Sequence, residues 1–276
     1  MGWILGLDTS GTWCGVALAR DGRVVGEERI MEPGANRALM PAVDRLCREA
    51  GIRPRQLEGV AVAIGPGSFT GLRIGLAAAK GLALALDLPL AGIDSLEAAA
   101  ATVAGVAGPG GAGVGAGGAA PGAPAAGGPL LVARRARRNE VYAAVYEPVA
   151  PGGGAGSTGA GVPPERPARA PRRLWGPEAV PPAELLRRLP EIAPQPLTAW
   201  WWMAAGDTGL WEALEAAGGG DGAGPRRLAD PGPCAAAVCL LAMPRLAAGG
   251  DDPALLGPVY LPAVPGYRPY ARGPAG

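Results

Sequence analysis

The stretch Gly65-Pro66-Gly67-Ser68-Phe69-Thr70-Gly71-Leu72-Arg73-Ile74-Gly75 joins an apolar run, Val60-Ala61-Val62-Ala63-Ile64, to a segment rich in alanine and leucine. That order predicts a strand, a glycine turn and a helix, with backbone N–H groups exposed where the helix starts. Phe69 is the single phenylalanine of the chain, and Lys80, further along the same helix, is the single lysine. Both stand against a background dominated by Gly, Ala, Pro and Arg. The turn lacks the G-x-x-x-x-G-K-[ST] order of a P-loop and misses G-x-G-x-x-G by one residue, with Thr70 in place of the third glycine. Two readings remain: an anion-binding turn, or a tight turn shaped by Pro66 and Gly67.

Working outward, Trp3-Ile4-Leu5-Gly6-Leu7-Asp8 reads as a strand ending in an acid, Thr9 to Thr12 as a polar turn, and Trp13 to Ala19 as a returning strand. Asp21-Gly22 is a hairpin signal, so Arg23 to Ile30 is a third strand. Residues 36–50 place Leu39, Val43, Leu46 and Ala50 at helical spacing and close on Gly51, with Pro41 in the first turn. Strand 60–64, helix 70–86, strand 88–93 and helix 95–104, with Ser95 as N-cap, complete the half. Three antiparallel strands feeding parallel ones is the layout of the ribonuclease-H-like, actin-like α/β fold. The second half starts in the same way, with strands 130–133 and 141–146 around a turn at Arg137-Arg138-Asn139-Glu140. A duplicated fold of two tandem halves is the expectation. A short helix at 182–189, an apolar strand at Trp200-Trp201-Trp202-Met203 and a last helix at 234–247 follow.

The expected organisation is a first half at 1–104, an insert at 105–129, and a second half at 130–230 interrupted at 151–173 and 218–226. A C-terminal helix and tail fill 231–276. The inserts, made of Gly, Ala and Pro, bury too little surface to offset chain entropy and read as disordered.

The 276 residues carry a net charge of +1 and no histidine. Charge therefore gives no whole-chain pull toward nucleic acid or membrane. Without histidine, Ser-His-Asp and Cys-His triads and His-based zinc sites are excluded. The four cysteines, Cys14, Cys47, Cys234 and Cys239, form no C-x-x-C pair and read as reduced thiols of a cytosolic protein. The start lacks the basic, apolar, small-residue order and does not read as a signal peptide, and Arg73, Lys80, Asp87 and Pro89 argue against a membrane span over 72–93.

Asp8, Thr9, Ser10 and Thr12, with Gly65, Gly67 and Ser68, are the candidate nucleotide- or anion-binding residues. By composition alone, Asp8 with its turn reads rather as an acid capping that turn, bonded to N–H groups two residues on. Arg134, Arg135, Arg137 and Arg138 form a basic knot that reads as an RNA-phosphate contact or a solvated turn. The triple Trp reads as core, because it lies on a continuous apolar strand. Helix 70–86 is apolar nearly all round, with Gly71, Gly75 and Ala79 making one face bare, so it must be covered on two sides. Its second cover is either helix 36–50 or another protein.

Several blocks together resemble the TsaB (YeaZ) family. They are Ile4 to Ser10, Gly65 to Gly75, Ala79-Lys80-Gly81-Leu82-Ala83, Ser95-Leu96-Glu97, Ala136 to Tyr142 and Pro258-Val259-Tyr260-Leu261. The likeness covers nearly all of residues 3–104 and scattered blocks to about 262. It implies an actin-like fold that has lost independent catalysis and serves as dimerisation partner of a catalytic paralogue, TsaD. TsaD installs threonylcarbamoyladenosine beside the anticodon of tRNA, with TsaE as ATPase and TsaC as maker of the activated donor. It further implies a contact with TsaD through helices 36–50 and 70–86, at Leu39, Val43, Leu46, Leu72, Arg73, Leu76, Ala79, Lys80 and Ala83. Without TsaD the chain is either a monomer or a homodimer on this reading. It implies no cofactor, with ATP and Mg²⁺ only at a shared interface, and tRNA reached only through the complex. Ala35 and Arg135 depart from the family pattern, and Asn139 stands where a glycine is usual. The rivals are an independent actin-like ATPase or kinase using Asp8, Thr12 and the Gly65–Ser68 turn, an RNA-binding module built on the arginines, and a protease. The absence of histidine disfavours the last.

Overall fold

The computed structural model describes residues 2–31, 35–105, 128–136, 139–147, 171–206, 209–216 and 224–261. The first half is a meander of β1 (Trp3–Asp8), β2 (Cys14–Arg20) and β3 (Arg23–Ile30), followed by α1 (Leu39–Glu49), β4 (Leu57–Gly65), α2 (Phe69–Leu86), β5 (Leu90–Asp94) and α3 (Ser95–Val103). The second half runs β6 (Leu130–Arg135), β7 (Val141–Tyr146), β8 (Arg173–Val180), α4 (Pro182–Ile192), β9 (Trp201–Ala205), α5 (Leu210–Ala216), β10 (Arg226–Leu228) and α6 (Ala235–Ala247).

The two sheets have the orders β3-β2-β1-β4-β5 and β8-β7-β6-β9-β10. In each, the first three strands pair antiparallel, and the fourth and fifth run parallel to the first. The duplication is thus complete strand by strand. The hairpin at Asp21-Gly22 holds both residues at positive φ, 50° and 78°, the geometry that matches the twist of the flanking strands.

Period-2 alternation divides each strand between two cores. Leu5, Leu7, Val16, Leu18, Val60 and Val62 face α1 and α2 in one cluster. Their neighbours Ile4, Ala17, Ala19, Ala61 and Ala63 face the middle of the molecule. There α3 and α6 lie between the sheets, packed on each other. The outer face of the second sheet buries Leu131, Ala133, Trp200 and Trp202 against α4 and α5. The result is five layers: helices, sheet, helices, sheet, helices.

The small residues of the first sheet's inner face let α6 approach closely. A Cβ on Gly6 would meet Cys239 Sγ at 2.5 Å and the Ala235 carbonyl oxygen at 2.6 Å. α6 lies against β1, β2 and β4, so the last helix among the described residues completes the first half.

Several expectations are corrected. The third strand of the second half, β8, begins at Arg173, inside the expected insert, and β10 begins at Arg226, at the edge of another. α5 also lacked a clear signal: it is only seven residues long. Helix 36–50 divides into a 3-10 turn at Ala35–Ala38 and α1. The N-cap of α3 is Asp94, not Ser95. The bulk of the three inserts, and Arg137 and Arg138 of the basic knot, lie outside the described residues.

Candidate functional site: two stitched turns and an open helical face

The Asp8 end of β1 and the Gly65 end of β4 lie side by side, and their turns bond to each other. Asp8 Oδ1 accepts from Ser10 N at 2.9 Å and Ser10 Oγ at 2.7 Å, while Oδ2 accepts from Cys234 N, the N-cap residue of α6, at 2.7 Å. Ser68 N donates to the Ser10 carbonyl at 2.7 Å, and Thr9 Oγ1 donates to the Gly71 carbonyl at 2.8 Å. Gly65 N donates to Ser95 Oγ at 3.0 Å. Ser68 caps α2 by accepting from Gly71 N at 3.2 Å. Glycine is required for this approach. A Cβ on Gly67, Gly71 or Gly75 would meet the Ser10 carbonyl oxygen, the Thr9 carbonyl oxygen or Thr9 Oγ1 at 2.3, 2.1 and 2.1 Å.

Of the candidate anion-binding residues, the structure therefore brings together Asp8, Thr9, Ser10, Gly65, Gly67 and Ser68, but engages them with one another. Both oxygens of Asp8 and the N–H groups of Gly65 and Ser68 already have partners. Thr12 stands apart, exposed at the tip of the turn.

Two arginines of the second half reach this region. Arg134 is 7% exposed, not a member of a solvated knot, and its NH1 donates to Ser10 Oγ at 2.8 Å while Nε is buried without a hydrogen bond. Arg135 next to it points outward. The signal was present in the sequence: counting by twos from Leu130 and Val132 puts residue 134 inside. Arg173 NH2 lies 3.2 Å from Asp94 Oδ2 and 3.5 Å from Glu97 Oε2. Burial raises the pKa of Asp94 and Glu97, and Arg173 opposes that rise. Burial likewise pushes the thiol of Cys14 to about 11 and that of Cys234 to about 12. Cys239 is raised for the same reason, the direction that keeps a buried thiol protonated.

The segment 251–261 returns along β5 to the same turns. Asp251 N donates to the Leu90 carbonyl, and Val259 N donates to the Ile64 carbonyl at 2.7 Å. Tyr260 then stacks on Phe69 with ring centroids 5.1 Å apart. Arg73 lies 3.8 Å above the Phe69 ring and donates from Nε to Tyr260 Oη at 3.0 Å.

Of the residues expected to face a partner, Leu39, Val43, Leu46, Leu72, Leu76, Ala79 and Ala83 are buried in the chain's own core. Their stripe is the one that holds α1 and α2 on the sheet. Arg73 is exposed and Lys80 is half-buried. The outer side of α2 instead carries Phe69, Arg73, Ala77, Gly81 and Leu84, the last 87% exposed. α1 adds Met40, 44% exposed, Pro41 and Asp44. By length and apolar character, α2 is the one helix among the described residues that would be able to cross a membrane, yet it lies along β4 with its glycine face against Thr9.

Two halves of one strand order, closed on each other through paired inner helices, define an actin-like α/β protein. The resemblance to the TsaB (YeaZ) family holds in comparison with known proteins. The family model described as TsaD, tRNA N6-adenosine threonylcarbamoyltransferase, matches residues 33–151. TsaB of Bacillus subtilis is 41% identical over 99 residues, which is 36% of this chain and 43% of that protein. TsaB of Escherichia coli is 37% identical over 93 residues, 34% of this chain and 40% of that one. A tRNA N6-adenosine threonylcarbamoyltransferase of Nitratidesulfovibrio vulgaris is 40% identical over 112 residues, 34% of this chain and 30% of that protein. The matched segment thus spans less than half the length of these curated relatives. The solved structure of YeaZ from Pseudomonas aeruginosa superposes with a TM-score of 0.63 at 25% identity, covering 95% of this chain and all of that one.

Proposed function

We propose that this chain is a scaffold subunit, itself without catalysis, in the biosynthesis of N6-threonylcarbamoyladenosine on tRNA. The outer face of α1 and α2 docks the catalytic paralogue TsaD. One observation carries the reading. The turns that would hold phosphate are bonded to each other, while α2 leaves Ala77, Gly81 and Leu84 open on the opposite side. The names of the curated relatives, TsaB and the threonylcarbamoyltransferase, support the pathway.

On this reading TsaE joins the assembly, tRNA is met only through the complex, and ATP with Mg²⁺ binds only at a shared interface. The subunit works in the cytoplasm. The docking residues are the outward ones, with Arg73 and Lys80 kept from the sequence expectation.

Light scattering after size exclusion, on the chain alone and mixed with TsaD from the same organism, tests the reading. A one-to-one complex that displaces any self-dimer is expected. Failure to associate, or magnesium-dependent nucleotide turnover by the lone chain that Asp8→Asn abolishes without unfolding it, overturns it.

A further inference from the structure

We infer that Arg134 and Arg173 are positioning residues through which the second half sets the start of α2, and with it the docking face. The inference rests on the reading of α2 as that face. It follows from two bonded routes that cross from one half to the other and end on the same turn.

The first route starts on β6. Arg134 donates to Ser10 Oγ, and the carbonyl of the same Ser10 accepts from Ser68 N, the N-cap residue of α2. The second starts on β8. Arg173 holds Asp94 Oδ2, while Asp94 Oδ1 accepts from Leu96 N at 2.8 Å and Glu97 N at 3.0 Å, which fixes the start of α3. The adjoining Ser95 then accepts from Gly65 N, at the head of the turn.

The turn has no slack of its own between these two anchors. Gly67 already lies against the Ser10 carbonyl so closely that no side chain fits. A small shift of Ser10 is therefore passed on to Ser68 by steric contact as well as by hydrogen bond.

Arg134 is also a costly residue to keep where it is. It is nearly fully buried, and its Nε has no partner. A buried charge whose hydrogen bonds are incomplete adds little to stability and is accounted for better by the geometry it imposes. Arg173 follows Arg172, which pairs with Glu147 at the end of β7 at 2.9 Å.

Amide hydrogen exchange on the full chain alone, resolved at Gly65, Ser68 and Gly71, tests the coupling without a partner. In Arg134→Met, exchange at Ser68 and Gly71 is expected to rise at least tenfold while β2 and β3 amides keep their wild-type rates. In Arg173→Met the same rise is expected at Gly65, Leu96 and Glu97. Ser95→Ala, which removes no charge, should reproduce the change at Gly65, and Arg173→Lys should partly restore it. Unchanged rates in the turn, or equal acceleration throughout the chain, overturn the inference. TsaD affinity is measured in parallel: a tenfold loss in Arg134→Met with the β2 amides unchanged supports the link to docking. If wild-type chain does not bind TsaD, the docking reading fails, while the exchange result still decides whether the coupling exists.

Discussion

Leu76 and Leu84 lie on one helix, two turns apart, and the structure gives them opposite fates. Leu76 is packed in the cluster beneath α1 and α2, whereas Leu84 is 87% exposed. Leu84→Arg should change the stability of the isolated chain by about 0.5 kcal/mol or less, because the site is solvated before and after. In a complex that covers α2, the same change removes the burial of a leucine, on the order of 1.5–3 kcal/mol, and leaves a charge to be desolvated. A loss of about 2 kcal/mol or more corresponds to a weakening of at least roughly 30-fold. Leu76→Arg inverts the pattern. It removes a core leucine worth about 2–5 kcal/mol and adds an unpaired buried charge, a large share of the roughly 5–15 kcal/mol that holds a domain together. Thermal melts of both variants, with calorimetric titration against TsaD, separate the cases. If Leu84→Arg binds as the wild type does, α2 is not the docking face. If Leu76→Arg melts at the wild-type temperature, the inward assignment of that stripe is wrong.

Asp8→Asn should cost about 1–3 kcal/mol, seen as a lower Tm, because an amide nitrogen would oppose either Ser10 N or Cys234 N; an unchanged Tm would reopen a ligand role for this carboxylate. Gly71→Ala drives a methyl into the Thr9 carbonyl oxygen and should destabilise by about 1–3 kcal/mol, whereas Gly81→Ala, where a Cβ meets nothing within 4 Å, should stabilise by about 0.5–1 kcal/mol. Denaturant titrations of the two variants check the contrast. Arg173→Met should cost about 2–3 kcal/mol at pH 7 and less at pH 4. The folded pKa values of Asp94 and Glu97 are already raised by burial, and losing the arginine raises them further. A raised carboxylate stabilises the fold least when it must be charged, so the deficit grows as pH rises from 4 towards 7. A deficit independent of pH would show that the pairing is not its source.

Where hydrophobic period and turn chemistry acted alone, the fold was legible. The Asp21-Gly22 hairpin, the strand into Gly65 and the tryptophan strand all follow from local patterns. β8 was not legible because Gly176 and Pro177 interrupt it and it adjoins a Gly-, Ala- and Pro-rich stretch. β10 has only three residues, and its place depends on β9 beside it. The site was legible in which residues converge and not in what they do. Helical spacing shows that Leu39, Val43 and Leu46 share a side of α1, but not whether a sheet or a partner covers it. Asp8 and the Gly65 turn carry the residue types that hold phosphate elsewhere. Their mutual bonding depends on an approach that only the folded chain reveals. Arg173 gave no local signal, since its partners lie 76 and 79 positions away.

The position of α6 has a consequence for how the molecule is made. The first sheet is translated by residue 94, but the helix that covers its inner face emerges only after residue 235. At roughly 5–20 residues per second, that surface of alanine and isoleucine waits for about 7–30 s beside the ribosome. A nascent chain in that interval exposes apolar surface of the kind that chaperones bind. Severing the gene between the halves would yield a first fragment with a bare apolar sheet, and adding the α6 segment in trans should recover its solubility.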